Sequence, residues 1–115
     1  MQERDKTETY LGFCVRAGKA VFGLDRAERL KAPPDLMLAD SGLSERSMRR
    51  SGRLAEKFGC PMYVCEEGLL GELLHRPSCK LVAVTEKNLA AAIIAEIEHS
   101  DKFRLSGKAG IGGNI

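Results

Sequence analysis

The sequence predicts an α/β fold, a three-layer α-β-α sandwich around a small mixed sheet of four strands. Three observations lead to it. Short apolar runs alternate with amphipathic segments four times along the chain, the pattern of a sheet covered by helices on both faces. The 115 residues fit one domain, and 43% hydrophobic residues are enough to fill its core. The apolar runs are only a few residues each, so the sheet is small. The longest, Leu89–Ala95, is far below the roughly 20 residues of a membrane span. The opening Met1–Glu8 lacks the apolar stretch of a secretory signal, so the expectation is a cytoplasmic protein with no membrane partner.

The elements follow in order. Thr7–Ala17 reads as a helix because Tyr10, Leu11, Cys14 and Val15 recur on one face, with Thr7 as N-cap and Gly18 as the stop. Ala20–Phe22 is a very short strand. Gly23 then bends the chain into a helix over Leu24–Leu30. Pro33 and Pro34 end it, since a residue before proline is pushed out of the helical region. Asp35–Ala39 is a continuous apolar run and reads as a buried strand. Ser44 caps a helix over Glu45–Phe58, closed by Gly59. Met62–Cys65 is the next buried strand, and Leu69–His75 a short helix with Leu70, Leu73 and Leu74 on one side. Lys80–Val84 is the clearest strand. Thr85 caps the last helix, whose apolar face is Leu89, Ala90, Ile93, Ile94 and Ile97. Residues 1–105 form one domain, and the glycine-rich segment 106–115 reads as a flexible tail.

Enzymatic chemistry finds little support. Gly12–Ala20 has glycines and a lysine but lacks the spacing of a phosphate loop and the hydroxyl that would hold magnesium. His75 and His99 stand near helix ends, where a cation suits the dipole. No serine sits in a nucleophile elbow, and the one adjacent carboxylate pair, Glu66-Glu67, lies on a turn. The four cysteines, Cys14, Cys60, Cys65 and Cys79, form no Cys-x-x-Cys pair. They read as reduced thiols, mostly within apolar runs, and neither a metal nor any other cofactor is expected.

The basic side chains carry more information. The net charge is only +2, but residues 1–57 hold 12 basic and 9 acidic side chains against 6 and 7 in the remainder. Arg46, Arg49, Arg50, Arg53 and Lys57 recur at helical spacing, a stripe about 16 Å long. Arg16, Lys19, Arg26, Arg29 and Lys31 surround the Gly18 and Gly23 turns. Arginine predominates, and its planar fork suits phosphate and guanine edges. Such a stripe is either a solvated face or a phosphate contact.

Tyr10-Leu-Gly-Phe-Cys-Val-Arg-Ala-Gly-Lys-Ala-Val-Phe-Gly23 resembles the leading segment of small bacterial proteins related to ribosomal protein L-seven-Ae. Those proteins carry a Leu-Gly-Leu-Ala-x-Arg-Ala-Gly-Lys segment, then the glycine that opens the second helix. Asp35–Asp40 is similar to their Leu-Val-Leu-Ala-Glu-Asp strand, Cys60-Pro61 with Met62–Cys65 to their Val-Pro strand, Leu70-Gly71 to their Leu-Gly pair, and Val82–Val84 to their penultimate strand. The resemblance spans about residues 8 to 97. It implies a kink-turn RNA-binding fold, in which the start of the second helix enters the widened major groove at tandem sheared G·A pairs. A loop after the Val-Pro strand covers flipped-out nucleotides.

On this basis the expected function is a non-catalytic, ribosome- or translation-associated, monomeric protein that binds structured RNA. Arg16, Gly18, Lys19, Arg26 and Arg29 contact phosphate. Gly23, Leu24 and Asp25 sit at the groove edge, Arg46, Arg49 and Arg53 extend the contact, and Cys65, Glu66, Glu67 and Gly68 flank it. The RNA-binding forms commonly read Gly-Thr-Asn-Glu where this chain has Gly23-Leu24-Asp25-Arg26, and the covering loop here is acidic. The alternative is therefore a protein-interaction module that kept the fold without specific RNA binding.

Overall fold

A computed structural model describes residues 6–106. Among them the chain forms α1 (Thr7–Arg16), β1 (Ala20–Phe22), α2 (Leu24–Glu28), β2 (Leu36–Asp40), α3 (Glu45–Phe58), β3 (Met62–Cys65), α4 (Leu69–Leu74), β4 (Leu81–Val84), α5 (Lys87–Ile97) and β5 (Phe103–Leu105). The α/β class is as the sequence predicts. The sheet has five strands and not four, in the order β1-β4-β2-β3-β5. The additional edge strand, β5, runs antiparallel to β3 with Phe103 opposite Cys65. Of its three residues only Phe103 is buried, so no apolar run or alternation announces it.

β2 and β3 are parallel, while β4 lies antiparallel between β1 and β2. β2, β3 and β4 are buried along their whole length because helices cover both faces. On one face Leu36, Leu38, Tyr63, Cys65, Val82 and Val84 pack with α1, α4 and α5 through residues such as Leu11, Leu70 and Ile93. On the other, Met37, Ala39, Met62, Val64, Leu81 and Ala83 pack with α2 and α3 through Ala27, Leu54 and Ala55. No helix among the described residues is long and apolar enough to cross a membrane.

Three local readings are corrected. Thr7 is not the cap of α1: Lys6 holds that position, and Thr7 is buried in the first turn. Thr85 is not the cap of α5. Its amide and hydroxyl donate to Lys19 O, while the Glu86 carboxylate accepts from the Leu89 and Asn88 amides at 2.8 and 3.2 Å. Those bonds favour the charged form and hold the Glu86 carboxyl below its ordinary range. Ser106, expected to begin a flexible tail, is held just past the end of β5 by its amide, which donates to Met62 O at 2.8 Å. The rest of the expected tail, 107–115, lies outside the described residues.

Candidate nucleic-acid interface

The sheet register decides which of the expected site residues meet. At one end, here the upper end, stand Phe22 of β1, the first residues of β4, and Asp40 beside Cys65 at the ends of β2 and β3. The start of α2, the β2–α3 loop, the β3–α4 loop and the α4–β4 loop therefore converge there. Gly23, Leu24, Asp25 and Arg26 are at this end, as are Arg46 in the first turn of α3 and Glu66, Glu67 and Gly68. Arg29 follows as the C-cap of α2, and Arg49 and Arg53 continue down α3.

Arg16, Gly18 and Lys19 are not part of this convergence. Ala20 pairs with Val84 at the lower end, so the length of β1 separates Lys19 from Gly23, about 13 Å for an extended chain. The Arg16–Lys19 segment has a local structural role instead. Gly18 adopts φ 71°, its amide donates to Val15 O, and the Lys19 amide donates to Cys14 O at 2.8 Å. This pair of bonds is the Schellman closure of α1, which needs a residue free to enter the left-handed region. Arg16 lies over the Phe13 ring at 5.2 Å.

Asp40 organises the upper end. It is 1% exposed. Its carboxylate accepts from the amides of Gly42 at 2.8 Å, Gly68 at 3.0 Å and Leu70 at 3.2 Å. α4 has no capping side chain in its own segment, and Gly68 before it is at φ 87°. The carboxylate from β2 therefore supplies the acceptor that the first amides of α4 need. The same oxygens fix the β2–α3 loop, where Glu67 lies so close to Gly42 that a Cβ there would meet its Cγ at 3.1 Å. Sequence reasoning gave Asp40 no role. An acidic residue two positions before a glycine at a strand end is an Asx-turn signal, but its partners in the β3–α4 loop are remote in sequence.

Cys65 is 1% exposed, and its thiol faces Asp40 from inside the sheet end. It does not present itself to a ligand, and burial, aided by the Asp40 charge, pushes its pKa up to about 12. Burial likewise raises Cys14 and Cys60 to about 11. All four cysteines are thiols, and the described residues contain no group of His, Cys, Asp or Glu side chains that could hold a metal ion.

The charges on the α2–α3 layer are unevenly partnered. Arg50 is bound to Glu28 at 2.7 Å and to Asp25 at 3.5 Å, which ties α3 to α2 and removes it from the stripe. Arg26, Arg29, Arg46, Arg49, Arg53 and Lys57 are exposed, and none forms an ion pair among the described residues. Two further cations at the upper end escaped the sequence. Arg76 lies 4.0 Å from the centroid of the Phe22 ring, next to Gly23, and Lys80 donates to Gly42 O at 3.4 Å. Asp25, Glu45, Glu66 and Glu67 are exposed acids of the same rim.

No family model matches the chain, and no curated protein matches it. Among solved structures, the fold is similar to that of a Bacillus halodurans protein of unknown function, with a TM-score of 0.75 and 15% identity over 83% of this chain and 99% of that one. The likeness establishes the shared fold.

Proposed function

We propose that this chain is a non-catalytic RNA-binding protein of the ribosomal protein L-seven-Ae type, acting in the cytoplasm as a monomer on structured, kink-turn-like RNA. The observation that carries the reading is the convergence of the α2 start and the β3–α4 loop at one sheet end. These are the segments that the resemblance assigns to the RNA groove and to the flipped-out nucleotides. Unpaired Arg26, Arg46, Arg49 and Arg53 beside them supply phosphate contacts, and the Arg76–Phe22 stack supplies a flat cationic surface next to Gly23.

Exposed Asp25, Glu66 and Glu67 on the same rim favour the second reading, a protein-interaction module that repels phosphate. Fluorescence-anisotropy titrations against a kink-turn RNA and a straight duplex of equal length separate the two. Tighter binding of the kinked RNA supports the proposal. Equal weak binding reduces it to non-specific charge, and absence of binding leaves the interaction module.

A further inference from the structure

A groove of about 550 Å³ runs between the lower half of α3 and the outer edge of the sheet, away from the α2 rim. Arg49, Gly52, Arg53, Ala55 and Glu56 form its α3 wall, two guanidiniums and one carboxylate among them, and Met62 and Leu105 are among its other apolar residues. The volume is in the range of small-ligand sites. Leu105 is 57% exposed, a large apolar side chain left in water beside it. The two arginines are neighbours one helical turn apart, and neither is engaged by an acid among the described residues.

Gly52 is the informative residue. It lies in the middle of α3, where glycine is a poor helix former, and no packing demands it: a Cβ built there meets nothing within 4 Å. The absent side chain leaves the groove wall open between Arg49 and Arg53. An apolar floor beside a wall on which two guanidiniums outnumber the one carboxylate, Glu56, fits a flat apolar body that carries negative charge beside it. A nucleotide has that form, with its base in the groove and its flanking phosphates on the guanidiniums. Arg46, Arg49 and Arg53 form a continuous path from the upper rim to this groove, so a strand leaving the rim has a run of phosphate contacts to follow.

Resting on the RNA-binding reading above, we infer that the α3–β5 groove is a second RNA subsite, which takes an unpaired base from a single strand extending beyond the structured RNA. The test uses the full chain and two probes, the kink-turn RNA alone and the same RNA with a short oligouridylate overhang, titrated by fluorescence anisotropy. The parent should bind the tailed RNA about tenfold more tightly, in line with one base buried against apolar side chains and one added phosphate contact. Gly52→Leu, which fills the groove from a position with free space around it, should remove that advantage, as should Arg49→Ala with Arg53→Ala. Gly52→Ala should keep it.

Thermal melts of each variant accompany the titrations. If Gly52→Leu melts below the parent, the arginine pair decides. Equal parental affinity for tailed and untailed RNA, or an advantage that survives both the leucine and the arginine variants, overturns the subsite and leaves the RNA-binding reading standing. Failure of the parent to bind either RNA overturns both.

Discussion

Two helical glycines make opposite demands, and replacing each with alanine gives opposite results. A Cβ on Gly71 in α4 would lie 2.7 Å from Arg76 O and 2.9 Å from Pro77 O. Both are backbone atoms of the loop that turns back to β4, and the Arg76 amide donates to Gly71 O at 2.8 Å, so the contact cannot open by rotating a side chain. Overpacking of this kind costs about 1–3 kcal/mol. The better helix propensity of alanine offsets up to about 1 kcal/mol of it. Gly71→Ala should therefore destabilise the fold by about 1–2 kcal/mol, a fall in Tm of roughly 5–15 °C for a domain of this size. Gly52→Ala in α3 meets no neighbour and keeps only the propensity term, so it should stabilise by up to about 1 kcal/mol. Urea and thermal unfolding followed by far-UV circular dichroism measure both. Equal or greater stability for Gly71→Ala, or a loss for Gly52→Ala, would refute the steric reasoning.

Asp40→Ala removes the acceptor of three amides and should cost on the order of 3 kcal/mol; hydrogen exchange should quicken together at Gly42, Gly68 and Leu70, and unchanged exchange there would show that the loops hold without the carboxylate. Replacing Arg26 and Arg29 with Ala should flatten the salt dependence of RNA binding by about two counterions' worth. Lys87→Ala on α5, remote from that layer, should leave the slope in place. The alkaline limit follows from the thiols: Cys14, Cys60 and Cys65 titrate near 11, 11 and 12 in the fold against an ordinary 9.0. Above pH 9 the unfolded chain gives up protons that the folded chain keeps. Their contribution to stability is thus whole below pH 9 and is lost as pH rises through 11 to 12. Urea midpoints that stay flat from neutral pH to pH 11 would contradict this.

The helices and the first four strands were legible because each carries its own signal: the alternation of apolar faces in α1 and α5, the uninterrupted Leu36–Ala39 and Leu81–Val84 runs, and the Ser44 and Gly59 punctuation of α3. What escaped depends on tertiary partners. β5 has one buried side chain and takes its place from β3. Asp40 gains its role from amides of another loop, and Arg76 from a ring on β1. The same limit explains the site. Arg16 and Lys19 are close to Gly23 in sequence, but a strand in between carries them to the far end of the sheet. The Leu70-Gly71 pair, a motif of the resemblance, has a packing reason of its own, with Leu70 fully buried and Gly71 against the α4–β4 loop.

The position of β4 also sets an order of events during synthesis. β1 has one neighbour in the sheet, and that neighbour is β4. When the first sixty-five residues have been made, β2 and β3 can pair, but β1 must wait for residues 81–84. Until then α1 and β1 have no edge to join, and the inner sides of β1 and β2 lack the strand that will divide them. A nascent chain stalled before Leu81 should therefore carry a protease-sensitive N-terminal segment ahead of a paired β2–β3 unit. Extension through Val84 should bring β1 into the sheet, and extension through α5, which packs on α1, should complete the protection of that segment.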